Sequence, residues 1–400
     1  MYTSIENKDK LNRDLWIEVD LEAIAHNMRV VRKLARSPIV SAVVKADGYG
    51  HGAVAVGRTL LENGADRFAV ATADEAYELR DAFPDVPILI LGEVEVHLAP
   101  VLAEKKIAVT VTTPQKLARF AEALCADASR ASAYAYANPL IVHIKVDTGM
   151  GRIGCEPTEE MAAEWEAVAG IAVRSHVEIE GIFSHFAKAD DADKRFSHLQ
   201  AKRFTAFVEM LKDRGIEPPI KHMANSAAVM ELPEYHFDMV RAGILIFGMT
   251  PTGEKLPELR PALSIKSRAI FVKTIPEDMG IGYSHSYTAR KGSRIVTVPA
   301  GYADGISRLL SNKMDVLIGG KRCRQVGNIC MDHLMVLGHE DVQAGDEIVI
   351  AGYQEVPGFP GHGECIAIEE LAREMGTLNY EIICMLSKRI PRVYIKRQHA

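Results

Sequence analysis

A lysine at the end of an apolar run is the first residue of this sequence that could do chemistry. Lys45 follows Val43 and Val44 directly and precedes Ala46-Asp47-Gly48-Tyr49-Gly50-His51-Gly52. Apolar surroundings desolvate an amine and can lower its pKa enough for it to act as a nucleophile. Taken alone, Lys45 is more simply interpreted as a side chain that reaches water.

A second run places two cations and a carboxylate close together. His143-Ile144-Lys145-Val146-Asp147 leads through a glycine-containing stretch to Arg152. The alternation of a strand puts Lys145 and Asp147 on one face, and a buried Lys145 must be paired or chemically altered. The simpler alternative is an ion pair of Asp147 with Lys145 or with Arg152 that has no catalytic role.

Three further apolar runs end in His185, in Asn225-Ser226 and in Arg241. A lone histidine beside apolar residues is more often a satisfied core group, and Ser226 is equally well interpreted as a helix N-cap. Arg241 is different because a buried guanidinium keeps its proton and requires an acceptor. A cofactor's ring nitrogen or phosphate would serve.

These residues close a series of eight β-branched runs, most of them followed by a segment of helical period. Eight such units within about 240 residues predict a (β/α)8 TIM-type barrel, a fold of about 250 residues. The predicted strands are Ile39–Lys45, Phe68–Ala71, Ile88–Leu91, Ala108–Val111, Ile141–Asp147, Ile179–Ser184, Ile220–Met223 and Met239–Arg241.

In this fold, functional groups lie at the carboxyl ends of the strands, and the loops after strands seven and eight frequently bind phosphate. Here those loops contain Asn225, Ser226, Gly243 and Ile244. The lysine, the arginine, the histidine and the phosphate-binding loops therefore converge on one barrel mouth. This combination is typical of a site for pyridoxal 5'-phosphate (PLP).

After Pro261 the pattern changes to strands without helices between them. We therefore predict an α/β chain with a barrel domain over residues 21–260 and a mainly-β domain over residues 261–400. Gly319-Gly320 is a candidate hairpin turn. The strands predicted in the second domain are Ala269–Ile275, Arg294–Pro299, Met314–Ile318, Leu334–Leu337, Glu347–Ala351 and Arg392–Ile395, with helices near Ile366–Met375 and Tyr380–Ser387.

Composition excludes several classes of protein. The net charge of -6 argues against general nucleic-acid binding, and the charged fraction of 25% is that of an ordinary globular chain. Apolar runs are far shorter than the roughly 20 residues of a membrane helix, and the polar start of the chain lacks a secretory signal, so we expect a cytoplasmic protein. Six scattered cysteines without a C-x-x-C pair, and histidines without ligand spacing, predict neither a metal site nor a disulfide framework.

Six blocks, in order, resemble those of the alanine racemases, from about Leu15 to Tyr394. This resemblance implies a PLP-dependent isomerase that interconverts L- and D-alanine and supplies D-alanine for peptidoglycan. It also implies a homodimer in which the β domain of one subunit closes the barrel mouth of the other, with an N-terminal strand within residues 12–20 on the β domain. The blocks are Val44–Gly52, Asp147–Gly154, Ser184–Ala187, Ala224–Ala228, Gly301–Gly305 and Cys330–Asp332.

The resemblance further implies roles for individual residues. Lys45 would hold PLP, His185 would stack on its ring, and Arg241 would face the ring nitrogen. An arginine there would make the ring a weaker electron sink, which favours reprotonation at Cα over transamination. The residues implied in phosphate binding are Tyr49, Ser226, Gly243, Ile244 and Tyr380.

Racemisation needs an acid and a base on opposite faces of a planar carbanion. The resemblance gives the role opposite Lys45 to Tyr283 of the partner subunit, with His185 and Arg241 as neighbours that could assist it. Arg152 would pair with the substrate carboxylate, oriented by Lys145, which is often carbamylated in this family. The other residues implied in substrate binding are Tyr302, Met331 and Asp332.

One position departs from the family. Asp190, Arg308, Asn328 and Leu378 match the substrate access corridor, but Asn328 stands where an arginine is common. Serine or a broader set of amino acids therefore stays open as substrate. A PLP-dependent decarboxylase is a second alternative, opposed by Arg241 and by the Tyr283 block, and a non-catalytic PLP-binding barrel is a third, opposed by the β domain.

Overall fold

The computed structural model describes residues 3–4, 11–125, 138–252, 256 and 258–397. The helices are α1 Leu21–Leu34, α2 Lys45–Tyr49, α3 Ala53–Glu62, α4 Ala73–Ala82, α5 Ala99–Glu104, α6 Pro114–Cys125, α7 Glu159–Arg174, α8 Arg195–Lys212, α9 Ser226–Glu231, α10 Ile368–Met375 and α11 Asn379–Met385. The strands of the first half are β1 Thr3–Ser4, β2 Leu15–Asp20, β3 Ile39–Val43, β4 Arg67–Val70, β5 Ile88–Ile90, β6 Ile107–Val111, β7 Leu140–Lys145, β8 Val177–Phe183, β9 Ile220–His222 and β10 Met239–Ala242.

Strands β3 to β10 form one parallel sheet in chain order, and β10 pairs with β3. Backbone hydrogen bonds from Asp238 to Lys221 and from Arg241 to Ala224, 3.0 and 2.9 Å long, link β10 to the β9 segment. Strands such as β5 and β6 are buried at every residue, as expected where helices cover a parallel sheet. The predicted barrel is confirmed, with each strand within two residues of its predicted bounds.

The barrel differs from eight regular units at its end. A short 3-10 helix, Ile244–Phe247, follows β10 where a full helix would stand. Helix α1 packs against this segment instead, and its buried Asn27 donates from Nδ2 to the carbonyl of Arg260 over 2.8 Å. Helix α1 precedes the first barrel strand in the sequence. It covers the sheet beside β10, at the position where a helix after the last strand would otherwise lie.

The second half contributes strands β11 to β21, most of them to one largely antiparallel sheet that β1 and β2 also join, while β13 and β14 form a separate two-stranded sheet. Its predicted hairpin is confirmed, since Ile318 pairs with Lys321 and both Gly319 and Gly320 have positive φ. These strands are β11 Leu263–Arg268, β12 Phe271–Thr274, β13 Met279–Ile281, β14 Tyr287–Ala289, β15 Arg294–Val298, β16 Asp315–Ile318, β17 Lys321–Val326, β18 Leu334–Gly338, β19 Glu347–Val356, β20 Phe359–Ile366 and β21 Arg392–Ile395.

Several of these strands are absent from the sequence-based prediction. Strand β17, which carries Lys321, Arg322 and Arg324 on its exposed positions, was predicted only at its start, as one arm of the hairpin. Strand β20 is exposed along nearly its whole length and so presents no apolar run. Strand β11 stands immediately after Pro261, where the pattern suggested only a boundary. Strand content in this domain was therefore underestimated wherever one face of the sheet is polar.

Strand β2 joins the second sheet although it precedes the barrel in the chain. It pairs antiparallel with β11 and parallel with β21, and all six of its residues are buried. Asp20 then accepts hydrogen bonds from the backbone N–H groups of Glu22 and Ala23 and caps α1. None of the described helices is long and apolar enough to cross a bilayer.

Candidate active site

The carboxyl ends of the barrel strands surround a cavity of about 830 Å3. Helix α11 and the residue before it complete its wall from the second domain, through Leu378, Tyr380 and Cys384. Most of the residues predicted for the site line this one cavity. They are Lys45, Tyr49, Lys145, Arg152, His185, Asn225, Ser226, Arg241, Gly243, Ile244 and Tyr380.

Lys45 begins a turn of unusual backbone conformation. Ala46, Asp47, Gly48 and Tyr49 all have φ between 52° and 61°, a left-handed conformation that costs non-glycine residues free energy. The turn is held by side chains, because Asp47 accepts from the N–H of Ala53 and Glu75 accepts from the N–H of Ala46. Strained backbone held in this way is a frequent property of functional sites.

The environment of Lys45 favours its neutral amine. Burial lowers its pKa, and the positive charges of Arg152 and Arg241 act in the same direction. Cys384 and Glu75 oppose this shift. A neutral amine is the form that can attack a carbonyl or accept a proton.

One end of the cavity is built from small residues and hydroxyl groups. Gly243 donates from its N–H to Ser226 Oγ over 2.9 Å, and a Cβ on Gly243 would lie 2.6 Å from Tyr49 Oη. Burial raises the pKa of Tyr49 and of Tyr380, so both remain phenols that can donate hydrogen bonds. The helix cap is Asn225, which accepts from the N–H of Ala228, so the interpretation of Ser226 as the N-cap is wrong by one residue.

Arg241 also lines the cavity and is almost completely buried. Its Nη1 donates to His222 Nδ1 over 2.7 Å, and its Nη2 donates to His185 Nδ1 over 3.1 Å and to the carbonyls of Ser184 and Met223. Burial, with Arg152, lowers its pKa to about 9, so the guanidinium is still charged at neutral pH. Within the part of the chain that the structure describes, its Nε–H makes no such bond and can donate to a ligand.

His185 is held as a neutral ring. Burial lowers its pKa well below the ordinary value, and four nearby cations, led by Arg241, add to the shift. The hydrogen bond from Arg241 makes Nδ1 an acceptor and leaves the proton on Nε2. A neutral ring of fixed tautomer suits stacking against a flat, electron-poor group.

Lys145 and Asp147 do not form the ion pair that was considered from sequence. Strand β7 ends at Lys145, whose Nζ donates to the carbonyl of Val146 over 2.7 Å and lies 5.5 Å from the centroid of the Phe183 ring. Burial lowers the pKa of Lys145 to about 8. Asp147 accepts from the backbone N–H groups of residues 149 to 152, which shapes the loop that carries Arg152.

Four predicted site residues lie outside the cavity, on the second domain. Tyr283 is 72% exposed, and Tyr302 and Met331 are exposed as well. The loops of Tyr302 and Met331 are joined by backbone hydrogen bonds, and Asp332 forms an ion pair with Arg389 at 2.7 Å. A single chain does not bring these residues to Lys45.

Sequence reasoning missed Glu75, Cys384 and Asp304 as parts of this region. Asp304 is completely buried and is bound by the guanidinium groups of Arg13 and Arg389. Asp304 also accepts from the N–H of Gly301 and so fixes the turn of Tyr302. Its place inside the Gly301–Gly305 block was a usable signal, whereas nothing local to Glu75 or Cys384 marked them.

Comparison with known proteins agrees with this geometry. Residues 19–251 match the family model "Alanine racemase, N-terminal domain" and residues 262–394 match "Alanine racemase, C-terminal domain". The chain belongs to the alanine racemase family. Alanine racemase from Clostridium perfringens is 43% identical over 96% of both chains, and the one from Desulforamulus reducens is 42% identical over 96% of this chain and 100% of its own.

Solved structures of the family share the fold. The crystal structure of alanine racemase from Bacillus anthracis with bound L-Ala-P has a TM-score of 0.87 at 34% identity and covers 96% of both chains. The crystal structure from E. faecalis has a TM-score of 0.85 at 36% identity and covers 99% of this chain and 100% of that one. Both agree with the barrel and the strand-rich second domain described above.

Proposed function

We propose that this protein is an alanine racemase that uses PLP to interconvert L- and D-alanine. The observation that carries the proposal is that Lys45, the pair Ser226 and Gly243, and Arg241 all line one cavity. The enzyme would make D-alanine in the cytoplasm, and this D-alanine would be used for the synthesis of peptidoglycan. The family match over nearly the whole chain supports the same reaction.

The residues of the cavity fit PLP. At one end, the hydroxyls of Tyr49, Ser226 and Tyr380 and the backbone at Gly243 could hold a phosphate in a space that a Cβ would fill. Elsewhere on the cavity wall, the Nε–H of Arg241 could meet the ring nitrogen. When bound, PLP would draw electrons from Cα of an amino acid and so acidify the α-proton.

Three groups of the protein would carry the reaction. Arg152, in the loop shaped by Asp147, would bind the substrate carboxylate as a charge-assisted pair. Lys45 would move the α-proton on one face of Cα, and Tyr283 of the partner subunit would move it on the other.

The catalytic unit we propose is a homodimer. Tyr283, Tyr302 and Met331 are exposed large side chains of the second domain, and none of them lines the cavity of its own chain. Large apolar side chains of this kind are enriched at the centres of protein interfaces. In a two-fold dimer the three side chains of each subunit would close the cavity of the other.

The test is proton exchange at Cα with the PLP-loaded protein. L-alanine and D-alanine should each lose the α-proton to D2O and converge to an equal mixture, and borohydride reduction should fix the cofactor on Lys45. Release of carbon dioxide in place of racemisation would favour the decarboxylase. Assays with L-serine and other amino acids would measure how strictly alanine is selected.

Gly243→Ala should weaken PLP binding. The added Cβ would lie 2.6 Å from Tyr49 Oη, too close unless the tyrosine or the loop moves. Overpacking of this kind costs about 1–3 kcal/mol, so the Kd for PLP should rise roughly tenfold or more. Titration of apoprotein with PLP, followed by fluorescence, measures it.

A suitable control is Gly215→Ala, where a Cβ meets nothing within 4 Å. Gly215 has a positive φ whereas the φ of Gly243 is -115°, so this control strains the backbone more than Gly243→Ala does but adds no contact in the cavity. Equal PLP affinity in the two variants would contradict a phosphate site beside Gly243.

Asn328→Ala should lower the rate of racemisation more than the affinity for alanine. Asn328 Nδ2 donates to the carbonyl of Tyr283 over 2.8 Å, so the substitution frees the turn that carries this tyrosine. Loss of one such hydrogen bond is worth about 1 kcal/mol, which predicts a fall in kcat of roughly fivefold. Steady-state kinetics in both directions would check this, and a change confined to KM would assign Asn328 to substrate access instead.

A further inference from the structure

A chain of hydrogen bonds runs through the interior of the barrel away from the cavity. Arg241 Nη1 lies 2.7 Å from His222 Nδ1, His222 Nε2 lies 2.9 Å from His143 Nδ1, and His143 Nε2 lies 2.6 Å from Glu180 Oε2. The same carboxylate oxygen accepts from Arg67 Nη2 over 2.8 Å. Four strands contribute side chains to this chain beyond Arg241, and both imidazoles are completely buried.

The positions of the protons follow from the two ends. Glu180 is ionised, because the hydrogen bond from His143 and the charge of Arg67 overcome its burial and lower its pKa to about 2. Burial lowers the pKa of His143 and of His222, so both rings are neutral. A neutral imidazole has one donor and one acceptor nitrogen.

Both ends therefore impose the same order on the series, because the guanidinium of Arg241 only donates and the carboxylate of Glu180 only accepts. Glu180 accepts only, so His143 carries its proton on Nε2 and presents Nδ1 as an acceptor. His222 then donates from Nε2 to that atom and presents its own Nδ1 to Arg241. Every donor in the series points from Arg241 toward Glu180, and reversing one ring would set two donors against each other.

The backbone makes room for this arrangement. Gly181 lies opposite His143 in the barrel sheet, and a Cβ at Gly181 would lie 2.2 Å from His143 Nδ1. The ring of Phe183 stacks on His222 with centroids 4.8 Å apart and lies 5.3 Å from the guanidinium carbon of Arg241. Both rings of the series are thus held on more than one side.

We propose that Glu180, held by Arg67, is a positioning residue for Arg241. Resting on the proposed function, this role would be to fix the two histidine tautomers that give Arg241 an acceptor and so hold its Nε–H toward the ring nitrogen of PLP. Glu180 touches neither substrate nor cofactor and acts through His143 and His222. In the series of hydrogen bonds, the guanidinium of Arg241 is the first group and the carboxylate of Glu180 is the last.

Neutron diffraction from crystals of the holoenzyme grown in D2O tests the proton order directly. We expect deuterium on Nε2 of His143 and of His222 and none on their Nδ1 atoms. Deuterium on Nδ1 of either ring, or on Glu180, would overturn the proposal. This measurement needs no turnover, so it separates failure of this inference from failure of the proposed reaction.

Variants at Glu180 test the consequence for the cofactor. Glu180→Gln keeps an acceptor oxygen for His143, whereas Glu180→Ala removes it, and Glu178→Gln at an exposed position of the same strand is the control. We expect Glu180→Ala to shift the visible band of bound PLP and to lower kcat about tenfold, with KM within about twofold. Glu180→Gln and the control should stay close to the unaltered protein.

A purely structural role would lower the melting temperature and leave the band unchanged. That outcome would overturn the proposal, as would an equal shift of the band in Glu180→Gln and Glu180→Ala. If Glu180→Ala does not fold, Arg67→Met serves in its place. Arg67→Met keeps the hydrogen bond between His143 and Glu180 but removes the ion pair that holds the Glu180 carboxylate. If Glu180 acts as an acceptor for His143, the visible band of bound PLP in Glu180→Gln should match that of the unaltered protein.

Discussion

Replacement of Lys45 by alanine should abolish racemisation, with kcat falling by at least about a thousandfold, the size typical of losing a covalent catalytic group. Lys45 places an amine at the cavity wall, and burial lowers the pKa of that amine, with Arg152 and Arg241 acting in the same direction. Alanine removes both the attachment point for PLP and one of the two proton carriers. Polarimetry with L-alanine and with D-alanine measures the loss.

Two further variants sharpen this result. Lys45→Arg keeps a positive charge but offers no amine for attachment, so it should be as inactive as Lys45→Ala. Lys33→Ala, at an exposed position in the last turn of α1, should leave the rate unchanged. Appreciable racemisation by Lys45→Ala with PLP bound would remove Lys45 from the mechanism.

Replacement of Tyr283 by phenylalanine should have the second largest effect. Phenylalanine keeps the ring and its packing but loses the hydroxyl that would carry the proton, so kcat should fall by roughly a hundredfold or more. In this variant Lys45 could still exchange the α-proton of the enantiomer on which it acts, so the rate of that exchange should fall less than the rate of full racemisation. Tyr353→Phe, at another exposed tyrosine, should have no effect.

Mixing the two inactive variants tests the shared site. In a dimer of Lys45→Ala with Tyr283→Phe, one cavity would hold both altered residues and the other would hold both native ones. Random reassociation should therefore restore about a quarter of the native activity, since half of the dimers have one intact site. If each chain used its own Tyr283, the mixture would stay inactive.

The barrel and most of its mouth could be predicted because both depend on local pattern. Buried parallel strands read as short β-branched runs, and the polar residue that ends each run marks the rim. Lys45, His185 and Arg241 were found in this way, and the family resemblance extended the set to Tyr380. The polar strand β20 was missed because an exposed strand lacks that signal.

The site around Lys45 depends partly on features of the sequence and partly on contacts of the tertiary structure. The sequence by itself determined the order of the strands, the residues at their ends and the family to which the chain belongs, because periodicity and motifs are properties of neighbouring residues. The tertiary structure decided what no neighbour could: that Glu75 holds the turn after Lys45, and that Glu180 lies behind Arg241 through two histidines. These contacts join residues 19 to 113 positions apart. The longest of them, between Arg67 and Glu180, links two strands that are not neighbours in the sheet, so only the closure of the barrel brings that pair within hydrogen-bonding distance.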